Sequence, residues 1–292
     1  MPLHSSTVGA SAAPVIHDVD ERWLMSYAAG LGDTLPCYLD TLRPGNIVAH
    51  PLFPVCVEWP AVVGMRGSAS ASGLTHDEAI RSVHATHDLL IHRGARPGDT
   101  LTTRATIVGV ERRKPGAFQV MRLDTVDAAG KPVSTTWQGG LFRDVAVVGE
   151  DRFATDAPPA PRPVEIGSAR AEVKVAISAL AAHVYTECAR IWNPVHTDTA
   201  VAARAGLPGL ILHGTATLAL AVSRMLELEA DNEPESVRRI AGRFSAMVLM
   251  PSDITVRVLS REKTGDGDVV RFEVRNAEGQ LAVQNGLLGL RA

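Results

Sequence analysis

Several things are scarce in this 292-residue chain, and each shortage removes a class of explanation. Its three cysteines, Cys37, Cys56 and Cys188, include no CxxC pair. An odd, scattered set builds neither a disulfide framework nor a zinc knuckle, and a reducing compartment, the cytoplasm, fits it best. The formal net charge is only -3, which leaves no basic field to hold nucleic acid or an anionic membrane. The longest mostly apolar stretch, near Leu207–Val222, is broken by His213 and Gly214; it reads as a buried helix rather than a membrane span. The opening "MPLHSSTVGASAAPV" has no basic cluster followed by an apolar core, so it is a poor secretory signal and is expected to be a disordered tail over residues 1–16. No glycine-rich nucleotide loop or GxSxG elbow occurs, and no cofactor is expected. His84, His87 and His92 suggest a metal only superficially: on a strand, 84 and 92 share one face and 87 takes the other, and no third ligand is evident, so no metal site is expected.

What the chain does have is internal repetition. "YAAGLGDTLPCYLD" begins at Tyr27 and "YTECARIWNPVHTD" at Tyr185, each with a proline nine positions on. "RPGDTLTTRATI" from Arg96 echoes "MPSDITVRVLS" from Met250, and "DAAGKPV" from Asp127 echoes "NAEGQLA" from Asn276. Three echoes in the same order, with a slowly drifting offset, imply a duplication with a few loop insertions. Between the copies, "EDRFATDAPPAPRPVEIG" is rich in proline and charge and reads as an extended linker.

The second copy has the clearer grammar. A helix is expected from "HTDTAVAARAG", with Asp198 or Thr197 as its N-cap and Gly206 as its stop. Next comes "LPGLILHGTATLALAVSRMLELEA", whose Leu218, Val222, Met225 and Leu226 form one stripe. Four strand-like runs follow, separated by turns at Pro251-Ser252, Gly265-Asp266-Gly267 and Ala277-Glu278-Gly279. One long helix and an antiparallel meander make a sheet that wraps a helix.

That architecture, the "NPVH" at Asn193–His196, the "LHG" at Leu212–Gly214 and the later "RFSA…P.D" together resemble the MaoC-like, (R)-specific enoyl-CoA hydratases, type 2. The resemblance spans about residues 17–292 and is strongest from Tyr185 to Gly214. It implies an α+β double hotdog: a first copy over 17–150, a linker over 151–166 and a second copy over 167–292. It also implies water addition to, or removal from, the acyl thioester of coenzyme A or a carrier protein. A homodimer is compatible with it. In the family the histidine of this motif, here His196, handles protons, and the glycine, here Gly214, hydrogen-bonds the thioester carbonyl. Asn193, Tyr185, Ile191 and Trp192 are then expected to line the substrate site.

One departure is serious. The family reads Ser-Gly-Asp before its Asn-Pro; this chain reads Ala189-Arg190-Ile191-Trp192. Isoleucine neither moves a proton nor orients water, and a positioned acid–base group contributes about 10²–10⁴-fold. Glu187, Asp198 and Asp33 are the candidates to replace the acid. In the first copy Asp33 stands where Ile191 stands in the second, and Tyr38 stands where His196 does. Alternatives to hydration are double-bond isomerisation, which needs one base only, and a non-catalytic acyl-binding or scaffold subunit.

Overall fold

The computed structural model describes residues 2–67, 82–163 and 169–291. The expected disordered N-terminal tail is instead ordered. β1 (Leu3–His4) pairs in parallel with β7 (Val147–Val148). Leu3 is fully buried, and Gly9 and Ala12 donate backbone hydrogen bonds to Ile107 and Ala105. The segment has few large side chains, but Leu3, Val8, Ala10, Ala12 and Val15 pack on one apolar cluster with Ala61, Val62 and Met65. A row of small apolar groups suffices where a sheet edge supplies hydrogen bonds, and composition alone hides such a row.

The rest of the first half supplies β2 (Val15–Asp18), β3 (Ser82–Ile91), β4 (Thr100–Arg113), β5 (Gly116–Val126) and β6 (Pro132–Arg143). The second half supplies β8 (Ala171–Ile177), β9 (Val237–Phe244), β10 (Ser252–Thr264), β11 (Gly267–Arg275) and β12 (Leu281–Leu290). They form one ten-stranded sheet in the order β2-β4-β5-β6-β3-β9-β12-β11-β10-β8. That order reads the same from both edges once β2 is matched with β8, β3 with β9, and β4, β5, β6 with β10, β11, β12. The repetition seen in the sequence is therefore a pseudo-twofold, and its axis crosses the β3–β9 seam. There Leu89 faces Ile240 and Asp88 faces Ala241, and Arg239 grips Asp88 with two hydrogen bonds, of 2.9 and 2.7 Å.

Helices α1 (Glu21–Gly30) and α3 (Pro54–Gly67) belong to the first half, with the short α2 (Pro36–Leu39) between them. In the second half α4 (Ala181–Ala189) and α6 (Gly214–Glu229) occupy the places of α1 and α3, with α5 (Thr199–Arg204) between them. Asp198 caps α5 through the N–H groups of Ala200 and Val201, and Gly206 follows it in the left-handed region. The long helix starts at Gly214, seven residues later than its apolar pattern begins. Leu207–His213 is spent on an extended approach in which Ile211 bridges Leu249. Residues 151–163 run as irregular chain pinned to the first half, with Arg152 exchanging two backbone hydrogen bonds with Val110; the rest of the linker expectation, from 164 on, lies outside the described residues. The strand histidines also differ from expectation. A bulge between His84 and Thr86 shifts the alternation by one, so the rings of His84 and His87 meet edge to face at 5.4 Å, while His92 bonds Thr135 on the other face.

Helices α1 and α4 cross at the pseudo-twofold, where the Tyr27 and Tyr185 hydroxyls approach to 3.5 Å. Gly30 permits the crossing: a Cβ there would lie 2.8 Å from the Cβ of Cys188. Gly30→Ala is therefore expected to destabilise the protein by about 1–3 kcal/mol, the usual scale of overpacking. Urea unfolding measures this, and an unchanged midpoint would contradict the tight crossing.

Candidate active site

The site forms where the Asn193–His196 turn meets the N-terminus of α6. Arg190 ends α4 in the left-handed conformation, φ 57°, where a glycine is usual. Its guanidinium lies 4.0 Å over the ring of Trp23, from α1 of the other half, a cation–π contact that holds the unusual backbone in place. The turn then directs Ile191 inward, where it is buried, and leaves Trp192 largely exposed. Pro194–His196 makes one 3-10 turn, closed by the His196 N–H on the Asn193 carbonyl at 3.2 Å.

His196 is held in one tautomer. Its Nδ1 lies 2.9 Å from the Ile211 carbonyl oxygen. A carbonyl only accepts, so Nδ1 carries the proton and the neutral ring presents a bare lone pair at Nε2. The ring stacks on that of His213, with centroids 3.7 Å apart and planes 26° apart. Burial lowers the His196 pKa to about 4, against a smaller upward pull from the bond to Ile211. His213 is lowered too, first by burial and then by His196 itself. Two stacked imidazoles in a dry setting do not both hold a proton. His213 Nε2 lies 3.3 Å from the Thr186 hydroxyl, and Tyr185, fully buried, packs its ring 5.0 Å from His213 and donates to Thr215 at 3.1 Å.

Gly214 is the first residue of α6, where helix geometry gives an N–H no ladder partner and the dipole is positive. The backbone is also closely covered there: a Cβ would meet the Phe244 ring at 3.1–3.3 Å. The structure thus brings His196, Gly214, Tyr185 and Ile191 to one place, with Asn193 and Trp192 on the turn beside it. The sequence alone singles out neither Phe244 nor Arg190; nothing in their spacing announces a stacked ring or a left-handed arginine.

None of the three candidate acids takes the vacated place. Glu187 is exposed on α4. Asp198 is committed to capping α5. Asp33 is buried in the first half, where it accepts from Leu35 N–H. Among the described residues, no carboxylate is hydrogen-bonded to His196 or His213. The first half repeats the constellation in altered form: Asp33, Tyr38 and His50 stand for Ile191, His196 and His213, and Pro51 for Gly214. Pro51 has no N–H, and the next one, on Leu52, is given to His50 Nδ1 at 3.0 Å. That half therefore offers no free donor where Gly214 offers one.

Comparison with known proteins agrees with this fold. Residues 166–280 match the model of the "MaoC like domain" family. That stretch of the chain is similar to a MaoC-like domain. Residues 6–136 match a second model, "FAS1-like, dehydratase domain region", so each half has a counterpart among known domains. It is 26% identical to "Probable enoyl-CoA hydratase 2" of Dictyostelium discoideum, over 94% of this chain and 92% of that protein. Over 75 residues it is 36% identical to "Fatty acid synthase subunit beta" of Aspergillus oryzae, a match covering 26% of this chain and only 4% of that much longer protein. The fold is that of a MaoC-like dehydratase from Phytophthora capsici, with a TM-score of 0.80 at 19% identity over 98% of this chain and 96% of the other. No helix among the described residues is long and apolar enough to cross a membrane.

The buried histidines predict a pH dependence of stability. Burial lowers His50 to about 3, and His87 and His196 to about 4. The unfolded chain takes up these protons below its ordinary histidine value of about 6.5, whereas the folded chain resists. Stability is expected to fall as pH drops from 7 to 5. Glu58, raised to about 8 by burial, works the other way but is a single group. His50→Asn should flatten the slope. Equilibrium unfolding at both pH values checks this; a slope of opposite sign, or one unchanged by the substitution, would count against neutral buried rings.

Proposed function

We propose that the protein is a hydratase/dehydratase that adds water reversibly to a 2-enoyl thioester of coenzyme A or a carrier protein. The observation that carries this reading is the neutral, tautomer-fixed His196 beside the helix N-terminus at Gly214. In the hydration direction, His196 Nε2 takes a proton from water as the water oxygen bonds to C3. The π electrons move to the thioester oxygen, and the Gly214 N–H stabilises the resulting enolate. The imidazolium then returns its proton to C2 as the carbonyl re-forms, so water is consumed and the base is regenerated. One imidazole serves both transfers because no carboxylate shares the site. Tyr185 and Ile191 wall the reacting carbons, and Asn193 and Trp192 sit at the entrance. Three free cysteines fit a cytoplasmic protein, and a homodimer would leave this site within each chain.

Isomerisation of the double bond is a second reading, supported by one observation: Ile191 offers an apolar surface where hydration profits from a second polar group to orient water. It uses the same base and the same N–H.

Turnover of 2-enoyl-CoA, followed by mass spectrometry for the gain of one water, separates the two. His196→Ala is expected to lower kcat by about 10²-fold or more with the circular dichroism spectrum unchanged. Ile191→Asp is expected to raise hydration relative to isomerisation. Full activity in a well-folded His196→Ala protein would refute the mechanism.

A further inference from the structure

The start of α6 is accessible over two residues only. Gly214 and Thr215 are half-buried, whereas His213 before them and Ala216 and Thr217 after them are buried. The chain thus sets a hydroxyl beside the Gly214 N–H, and its contacts decide what that hydroxyl can do. The Tyr185 phenol donates to Thr215 Oγ1 at 3.1 Å. A phenol has one hydrogen, so toward Tyr27, 3.5 Å away, Tyr185 can only accept. Burial raises the pKa of both phenols, which keeps that hydrogen in place. Thr215 Oγ1 is therefore the acceptor in its bond to Tyr185 and retains its own hydrogen. Among the described residues no acceptor is bonded to that hydrogen. Thr217, two residues on, behaves differently: its hydroxyl is spent on the His213 carbonyl of its own helix, at 3.2 Å. A hydroxyl that accepts a hydrogen bond is also polarised into a stronger donor.

The first half serves as an internal control. There Pro51 and Leu52 stand for Gly214 and Thr215. Proline has no N–H and leucine no hydroxyl, and Leu52 is fully buried with its N–H given to His50. One copy has both donors and the other has neither. We propose that Thr215 is a further catalytic residue, whose hydroxyl joins the Gly214 N–H in a two-donor hole for the thioester oxygen. This rests on the hydratase reading for the position of the thioester. As the carbonyl becomes an enolate, charge moves onto its oxygen, and donors on two adjacent residues meet it. Thr215 keeps its proton throughout. No bond to it forms or breaks, and the proton that reaches C2 comes from the His196 imidazolium. With Ile191 offering nothing polar to the water, the hole takes a larger share of the stabilisation.

The test uses 3-oxobutanoyl-CoA, whose enolate absorbs in the ultraviolet where the keto form does not, so that no turnover is needed. The enolate-to-keto ratio of the bound thioester is measured for the wild type, Thr215→Val and Thr215→Ser. Each protein is also assayed for kcat on 2-enoyl-CoA and for its circular dichroism spectrum. Valine keeps the shape of threonine and loses the hydroxyl; serine keeps the hydroxyl. Thr215→Val is expected to lower both the enolate ratio and kcat by about 10²-fold, and Thr215→Ser by less than about threefold. Binding of butanoyl-CoA, on which no enolate forms, should change by less than about threefold in either variant. An unchanged enolate ratio and kcat in a folded Thr215→Val protein would overturn the proposal while leaving hydration intact. So would equal losses in the valine and serine variants, which mark a packing effect. So would a wild type that binds 3-oxobutanoyl-CoA without raising its enolate fraction above that in water. Loss of the enolate in Thr215→Val but not in Thr215→Ser, with no wild-type hydration of any 2-enoyl thioester, would sustain the hole and tell against the hydratase reading instead.

Discussion

The pairing of β3 with β9 is the constraint on which the rest depends. It turns two five-stranded sheets into one, removes two exposed edges, and sets the pseudo-twofold that brings Tyr27 to Tyr185 and Gly30 to Cys188. It also decides what the second half's active site sees. Phe244 ends β9 over Gly214, and the strand beside it is β3, so His84 and the first half's interior become neighbours of the reacting centre.

The site's chemistry follows from dryness and from the missing acid together. A carboxylate beside His196 would favour its imidazolium and draw its pKa upward; with Ile191 there, burial acts unopposed except by the Ile211 carbonyl. The imidazole then stays neutral, and its orientation is set by one hydrogen bond and one stacked ring rather than by an ion pair. The first copy shows the complementary loss. It keeps an acid, Asp33, but has tyrosine for histidine and proline for glycine, so no donor is aimed where an enolate would form. Duplication has left one helix end with a free N–H donor, at Gly214.

Much of this was legible from residues. The repeat showed itself because both copies need the same turn between the same helices. The α5 cap was readable because Asp198 and Gly206 each answer a local demand of backbone geometry. The hotdog came from motif resemblance rather than from spacing, and so did the expectation that His196 and Gly214 carry the chemistry. What stayed hidden was set by tertiary contact. The N-terminal segment lacks bulk, and its order comes from a sheet edge contributed by β4. The His84–His87 encounter comes from a bulge that breaks the alternation. Arg190 in a left-handed conformation is tolerable only because Trp23, 167 positions earlier in the chain, lies beneath it.

The central claim is that His196 works as a neutral base with its proton fixed on Nδ1 and no acid beside it. The most direct measurement is ¹⁵N NMR of the His196 ring as a function of pH, assigned by comparison with His196→Gln. The account predicts a neutral Nδ1–H tautomer at pH 7 that begins to take up a proton only as pH approaches about 4. An imidazolium at pH 7, or a neutral ring with its proton on Nε2, would contradict it.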